Sequence, residues 1–232
     1  MPLSSVPLWE RPELRRITGG PLRPGGTALT QHAVRCAKLP AGSQILDIGC
    51  GLGTSMSTLR EDCGMKPIGI DARFAQLQST TDMDAQAQTV QAQAEALPFA
   101  DASFDAVNCE CVFSLVQDKV TCLREIRRVL RPSGVLLLSD LVLRTHQTTS
   151  QSQSTGQGCA SRALDLPQTL EHLERTGFSL LLLEDHSRCL AELAAQLIFA
   201  DCLPEEFRNT CCRPGYALLL AQTPSKEVHH EQ

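Results

Sequence analysis

The 232-residue sequence predicts an α/β protein whose mostly parallel β-sheet carries helices on both faces. Ile45–Ile48 is a short apolar run followed by glycines at alternate positions, Gly49, Gly51 and Gly53. This pattern is typical of a buried strand, a tight turn and the start of a helix. Residues 135–139 are almost continuously apolar, as expected for a strand buried on both faces. Strand-like and helix-like segments alternate along the chain, which favours parallel strands with crossover helices.

The composition bounds the class of protein. The hydrophobic fraction of 42% and the charged fraction of 20% are ordinary for a globular domain, and 232 residues are enough for a full core. The net charge of −5 argues against a general nucleic-acid binder, which needs a basic face. No apolar run approaches membrane-spanning length and no signal-peptide pattern opens the chain, so we expect a cytoplasmic protein without a membrane partner.

Metal-binding patterns are not evident in the sequence. The eleven cysteines include no Cys-x-x-Cys pair, so neither a zinc ribbon nor a thioredoxin-like site is predicted. His146, His172 and His186 lack metal-ligand spacing, and we expect them to be structural or surface groups. No metal site is predicted.

The elements can be placed in chain order. Residues 1–26 are rich in Pro, Gly and Arg and predict an irregular N-terminal arm. Thr27 is a suitable N-cap for a helix that continues to about Lys38. After the glycine turn, a helix to about residue 61 and strands at 68–70 and 89–91 are expected. The later elements are strands at 104–108, 135–139, 178–183 and 216–221, with helices at 118–130, 166–176 and 189–200. Residues 131–134 should end the helix that precedes the fifth strand.

One domain is expected over residues 27–222. Within it, residues 145–158 are polar residues and glycine only, which predicts a flexible polar insertion. Residues 223–232 predict a polar tail.

Asp71 lies at the end of the second strand, about twenty residues beyond the glycine turn. In a doubly wound sheet, an acidic residue at this position faces the ribose of a bound nucleotide. The alternative is an aspartate that caps the helix starting near Arg73. The glycine turn upstream favours the ribose interpretation.

Two segments carry a family resemblance. The Gly-x-Gly-x-Gly turn preceded by Asp47 resembles motif I of class I S-adenosylmethionine (SAM)-dependent methyltransferases. Residues 94–99, Ala-Glu-Ala-Leu-Pro-Phe, and the strand Phe-Asp-Ala-Val at 104–107 resemble segments of methyltransferases in ubiquinone and menaquinone biosynthesis. Gln93 stands where that family has Asp. The resemblance implies the Rossmann-like class I methyltransferase fold, with a seven-stranded sheet.

The resemblance also implies the enzyme class, the cofactor and the residues that bind it. SAM would be held at its methionine end by Asp47 and the three glycines, and at its ribose by Asp71. Its adenine would lie among Gln93, Ala94 and Glu95. The remaining expected cofactor contacts are Cys50, Ala72 and Cys109. Because the sulfonium is already a reactive methyl donor, the enzyme mainly has to position a nucleophile and exclude water.

Two cysteines suggest a substrate. Residues 109–119 resemble the Asn-Cys-Val-x-Asn-Leu-x-x-Asp-Lys stretch of arsenite methyltransferases, with Cys111 on the family's cysteine. Residues 158–164 resemble that family's Cys-x-Gly-Ala segment, with Cys159 on its second cysteine. In the family these thiolates hold trivalent arsenic, a soft ion that prefers sulfur. Ser161 and Arg162 depart from the family's small residues. Cys211 and Cys212 are an alternative source of a third thiol, or packing or surface residues.

The expected function is therefore a SAM-dependent methyltransferase acting on a small molecule, with a thiol-bound metalloid such as arsenite as one candidate. One alternative is a C- or O-methyltransferase of a quinone-like or other small metabolite. Another is a non-catalytic, SAM-binding protein that responds to soft metals or to redox state. Glu110 is a candidate base or orienting group, or merely a solvated carboxylate. We expect no nucleic-acid partner and either a monomer or a homodimer.

Overall fold

A computed structural model describes residues 22–144, 163–200 and 214–225. The predicted insertion at 145–158, Cys159 and the Cys211-Cys212 pair lie outside these described residues. Most of the predicted N-terminal arm and most of the predicted tail also lie outside them.

Seven strands form one sheet in the order β3-β2-β1-β4-β5-β7-β6. The strands are β1 (Gln44–Ile48), β2 (Lys66–Asp71), β3 (Thr89–Gln91), β4 (Phe104–Glu110), β5 (Leu130–Val142), β6 (Ser179–Asp185) and β7 (Gly215–Gln222). β1 to β5 pair in parallel, whereas β7 is antiparallel to both β5 and β6. The predicted seven-stranded, mostly parallel sheet is confirmed.

Six α-helices lie within the described residues. They are α1 (Gly26–Cys36), α2 (Thr54–Glu61), α3 (Phe74–Met83), α4 (Lys119–Val129), α5 (Leu166–Arg175) and α6 (Ser187–Phe199). A 3₁₀ turn, Phe113–Leu115, follows β4. None of the described helices is long and apolar enough to cross a membrane.

The core has one hydrophobic layer on each face of the sheet. On one face, Leu123 and Ile126 of α4 pack against β4 and β5. On the other, Leu29 and Ala33 of α1 join side chains of β1, β5 and β7. Because β1, β4 and β5 are covered on both sides, their apolar residues are nearly continuous instead of alternating, as the sequence predicts.

Two boundaries differ from the sequence predictions. Thr27 is not the N-cap of α1; Gly25 holds that position with φ +77° and makes no side-chain capping bond. Residues 131–134 do not separate α4 from the next strand, because β5 begins at Leu130 directly after the helix. The chain turns within that stretch through Ser133, at φ +61°, while the β4–β5 register shifts between Phe104 and Ala106.

Arg128 of α4 fixes the loop that follows β3. Its guanidinium donates to the carbonyl oxygens of Leu97 (2.9 Å) and Phe99 (2.7 Å). It also pairs with Glu125 at 2.7 Å and with Asp101 at 2.9 Å. The forked guanidinium suits this task because it can donate several bonds in one plane.

We expect the change Arg128→Ala to lower the free energy of unfolding by about 2 kcal/mol, because two loop carbonyls and two carboxylates lose a charged donor. Chemical denaturation of the purified protein measures this. Arg124→Ala is the control, since Arg124 lies exposed on the same helix; it should change stability by less than about 0.5 kcal/mol. Equal effects of the two changes would contradict this role for Arg128.

Candidate functional site

A cavity of about 620 Å³ opens at the carboxyl ends of the parallel strands. β1 lies between β2 and β4, so the connection direction reverses there. Ligands of open α/β sheets bind at this kind of switch point. Ten of the residues predicted from the sequence line the cavity: Gly49, Cys50, Gly51, Asp71, Ala72, Gln93, Ala94, Glu95, Glu110 and Cys111.

Neighbouring side chains pack closely against the glycine turn after β1. Gly49 and Gly53 have φ of +69° and +77°, a region that favours glycine. A Cβ at Gly49 would lie 2.3 Å from Val112 Cγ2, and one at Gly53 would lie 2.6 Å from Thr80 Cγ2. The Thr80 hydroxyl donates to the Gly51 carbonyl oxygen at 2.6 Å. The backbone of the turn therefore lies open to the cavity in one defined conformation.

Asp71 contacts both the glycine turn and the chain that leads into α3, but it does not cap that helix, whose N-cap is Arg73. The role of Asp71 toward the ribose stays a prediction. Its Oδ2 accepts from the Gly51 N–H at 3.1 Å, and its Oδ1 accepts from the Arg73 N–H at 2.9 Å. It thus ties the end of β2 to the glycine turn and leads the chain into α3. Because each carboxylate oxygen has a second lone pair, these bonds leave Asp71 able to accept from ligand hydroxyls.

Asp47 is a buried carboxyl behind the glycine turn. Its Oδ1 accepts from the Asn108 amide at 2.8 Å, while its Oδ2 has no hydrogen-bond partner within the described part of the chain. Burial, followed by the negative charge of Glu110, raises the pKa of Asp47 to about 7. A cationic ligand group nearby would favour its charged form. A carboxyl oxygen without a hydrogen-bond partner, beside a glycine turn that is open to the cavity, is suited to the ammonium group of SAM.

The segment predicted to surround adenine follows β3. Gln93 is exposed and Ala94 is buried, and Gln93 forms an isolated bridge with Ala96. Glu95 Oε1 accepts from the Gln117 N–H at 3.2 Å. Cys109 is fully buried in the core, and like Asp47 and Gly53 it does not line the cavity.

An ion pair that the sequence analysis did not identify borders the cavity. Arg23 Nε lies 3.1 Å from Glu110 Oε2. The same carboxylate accepts from the hydroxyls of Thr30 (2.8 Å) and Ser55 (3.0 Å). Arg23 donates to both of those hydroxyls. Glu110 is therefore paired and hydrogen-bonded, and the solvated alternative is wrong.

Cys111 lines the cavity in an unusual backbone conformation, with φ +56°. Its Sγ lies 3.1 Å from the Tyr216 hydroxyl, which donates to Ser139 Oγ at 3.1 Å. Burial, with the nearby Asp140, raises the pKa of the Cys111 thiol and favours its protonated form. Its expected partner Cys159 is outside the described residues, so that pairing stays a prediction.

Asp140 also lines the cavity, and it is an acidic residue that the sequence analysis did not single out. Its two oxygens accept from the N–H groups of Ser114 (2.8 Å) and Leu141 (2.7 Å). Burial raises its pKa to about 6. The sequence signal was available, since a lone aspartate directly follows the apolar run at 135–139.

Helix α6 supplies an apolar wall to the same cavity through Leu190, Leu193 and Leu197. Val112 and Leu115, which follow β4, add to the apolar surface. The cavity thus combines a polar glycine turn with an apolar region and four acidic side chains, those of Asp71, Glu95, Glu110 and Asp140. Such a mixture is typical of sites for small organic ligands.

We expect Gly49→Ala to lower both thermal stability and the affinity for S-adenosylhomocysteine, because the new Cβ meets Val112 and the residue must keep a positive φ. Gly42→Ala is the matched control. Gly42 also has a positive φ, +84°, but a Cβ there has nothing within 4 Å. Thermal shift and calorimetric titration compare the two variants. Unaltered affinity in the Gly49 variant would argue against the glycine turn as the cofactor site.

Because the pKa of Asp47 is raised, the stability of the folded protein should fall as pH rises through a defined range. Between about pH 4 and pH 7 the folded chain keeps a proton that the unfolded chain releases, so stability from this group falls as pH rises. In the ligand-free protein, the free energy of unfolding should fall between these pH values by up to about 4 kcal/mol less in Asp47→Asn than in the wild type. Denaturation across this pH range measures it, with the exposed Asp62→Asn as the control. Identical pH slopes in the two variants would contradict the assignment.

Comparison with known families gives a match to the central part of the chain. Residues 46–138 match the family model described as a methyltransferase domain. This segment extends from β1 into β5 and includes the glycine turn, Asp71 and the segment after β3.

Curated relatives match over similar lengths. The chain is 35% identical over 105 residues to the 2-methyl-6-phytyl-1,4-hydroquinone methyltransferase of Synechocystis sp., covering 44% of this chain and 33% of that protein. It is 29% identical over 180 residues to Methyltransferase GfsG of Streptomyces halstedii, covering 72% and 64%. It is 31% identical over 109 residues to the ubiquinone biosynthesis O-methyltransferase of Pseudomonas aeruginosa, covering 44% and 45%. This chain spans less than two thirds of each relative's length.

Solved structures share the whole fold. The [4+2]-cyclase SpnF superposes with a TM-score of 0.75 at 23% identity, covering 92% of both chains. A phosphoethanolamine N-methyltransferase of Haemonchus contortus in complex with SAM also gives 0.75, at 18% identity, covering 91% of this chain and 56% of that one. These structures show the fold alone, and they confirm the predicted Rossmann-like class I methyltransferase fold.

Proposed function

We propose that this chain transfers the methyl group of SAM to a hydroxyl oxygen of a small, largely apolar organic molecule. The observation that carries the proposal is one cavity shared by the glycine turn, the apolar face of α6 and the carboxyl of Asp140. Two relatives named for a hydroquinone and for ubiquinone biosynthesis support a ring hydroxyl or a quinone-like compound as the acceptor.

The cofactor would occupy the part of the cavity that is lined by the glycine turn and Asp71. When bound, SAM supplies an electrophilic methyl group on a positively charged sulfur. Asp47 and the N–H groups of the turn are suited to its methionine end, and Asp71 to its ribose hydroxyls. Gln93, Ala94 and Glu95 remain the proposed adenine contacts.

Asp140 is the candidate base. A hydroxyl acceptor must lose its proton as the oxygen–carbon bond forms and the carbon–sulfur bond breaks. Because its pKa is raised to about 6, Asp140 takes up a proton more readily than an ordinary aspartate and is ionised at neutral pH. Glu110 is less suited, since Arg23, Thr30 and Ser55 already occupy its oxygens.

A thiol-bound metalloid remains the second candidate, because Cys111 lines the cavity. Against it, the Cys111 sulfur is hydrogen-bonded to Tyr216, and burial favours the thiol over the thiolate that binds As(III). The third candidate is SAM binding without catalysis, which differs from the others in that no methylated product forms. The fold shared with a protein described as a [4+2]-cyclase makes product analysis necessary.

The test measures S-adenosylhomocysteine and methylated product from a panel of alkylated phenols and hydroquinones, with arsenite plus a thiol as a separate arm. We expect turnover of a hydroxyl compound, and a kcat reduced about 100-fold in Asp140→Asn with unchanged S-adenosylhomocysteine affinity. The wild-type rate should fall below about pH 6 as Asp140 becomes protonated. Cys111→Ser should retain turnover within a few-fold.

Two outcomes would contradict the proposed reaction, and a third would contradict only the role of Asp140. Turnover of arsenite that Cys111→Ser abolishes would establish the metalloid instead. Normal binding of S-adenosylhomocysteine without methylation of any acceptor would favour the non-catalytic alternative. Full activity and an unchanged pH profile in Asp140→Asn would remove Asp140 as the base while leaving the methyltransferase assignment in place.

A further inference from the structure

Four side chains of types that can bind metal ions lie close together, away from the cavity. His32 and Cys36 lie on α1, Glu184 lies at the end of β6, and His186 lies in the turn before α6. None of the four lines the cavity. Their sequence separation, from 32 to 186, explains why no ligand spacing is visible in the sequence.

The donor atoms of His32, Cys36 and Glu184 converge, and His186 approaches this group on the Glu184 side. His32 Nε2 lies 2.7 Å from Glu184 Oε2, and His186 Nε2 lies 2.9 Å from the same oxygen. Cys36 Sγ lies 3.5 Å from His32 Nε2. One ligand atom each from His32, Cys36 and Glu184 can be chosen so that all three lie within 4.8 Å of one another.

The backbone explains this convergence. His32 and Cys36 are four residues apart on a helix and therefore share one face. Glu184 is the penultimate residue of β6, and His186 lies in the turn after it with its ring hydrogen-bonded to the Glu184 carboxylate. The His186 N–H donates to the Tyr216 carbonyl oxygen at 2.8 Å, which fixes this turn against β7. Leu29 and Ala33 anchor α1 in the core, so both ligand pairs stand on rigid elements.

We propose that His32, Cys36, Glu184 and His186 form a binding site for Zn²⁺. A thiolate, two imidazole nitrogens and one carboxylate oxygen are ligands that zinc accepts in tetrahedral sites. With ordinary zinc bond lengths, tetrahedral nitrogen and sulfur ligands lie about 3.5 Å apart. That separation matches the one between His32 and Cys36. The thiol proton and any imidazole protons on the binding nitrogens leave as the metal binds.

Four protein ligands make this a closed, structural type of site without a position for substrate. His32 and Glu184 keep 35% and 32% of their side-chain surface exposed, which gives an ion a path of entry. The metal would join α1 to the turn that begins α6. Since α6 lines the cavity through Leu190 and Leu193, the site would stabilise that wall without contacting the ligands of the cavity.

A metal-free cluster is the competing interpretation. Two imidazoles hydrogen-bonded to one carboxylate account for Glu184 without any ion. In that cluster Cys36 is only a neighbour of His32, four residues away on the same helix, and its thiol binds no metal. The role of Cys36 is therefore the discriminating observation.

The experiment uses the full chain, freed of metal with a chelator, and titrates Zn²⁺ by calorimetry against a competing chelator. We expect one equivalent to bind and to raise the melting temperature. Cys36→Ser and His32→Ala should each weaken binding by on the order of 10- to 100-fold. Co²⁺ as a probe should give thiolate-to-metal charge-transfer absorption in the wild type that Cys36→Ser abolishes.

Cys63→Ser is the matched control, because Cys63 is also a half-buried free thiol but lies outside the cluster. It should bind Zn²⁺ and Co²⁺ as the wild type does. Binding of S-adenosylhomocysteine to the metal-free variants checks that they are folded. Equal Zn²⁺ affinity in the Cys36 and Cys63 variants, or no binding by the folded wild type, would overturn the proposal.

Discussion

The cavity depends on one constraint, the fixed conformation of the glycine turn between β1 and α2. Neighbouring elements hold that turn from several sides. The Cys50 N–H donates to the Ile70 carbonyl of β2, and Asp71 and Thr80 bind the N–H and carbonyl of Gly51. Van der Waals contact with Val112 leaves no room for a side chain at Gly49. Since the backbone is held before any ligand arrives, binding need not order it, and less conformational entropy is lost.

Buried charge is the second organising feature of the site. Asp47, Glu110 and Asp140 all lie at the carboxyl ends of strands β1, β4 and β5, where parallel strands bring their side chains to one edge of the sheet. Arg23 is the cation that pairs with Glu110, and it comes from the segment before α1. Burial without such a partner raises the pKa values of Asp47 and Asp140. The structure thus separates a permanently paired carboxylate from two carboxyls whose charge can respond to ligands.

The sequence predicted the elements that have strong local signals. The strand at 89–91 and the start of α5 near Leu166 were placed correctly, and so was the glycine turn, because glycine spacing and apolar periodicity are local properties. Thr27 was wrongly predicted as a cap because Gly25 begins the helix with a backbone conformation that leaves no side-chain bond. Arg23 and Asp140 were missed for a different reason. Their roles arise from partners such as Glu110 and Ser114, and those contacts exist only after the strands pair.

Helix α6 shows how such distant contacts connect separate parts of the molecule. Its apolar residues Leu190 and Leu193 face the cavity, while its first turn begins beside His186, whose ring meets Glu184 and the edge of His32. The N-terminal end of α6 is therefore held by polar contacts with β7 as well as with α1 and β6. Polar contacts are directional, and apolar packing is not. The apolar wall of the cavity consequently takes its orientation in part from a cluster of side chains that never contacts the cavity itself.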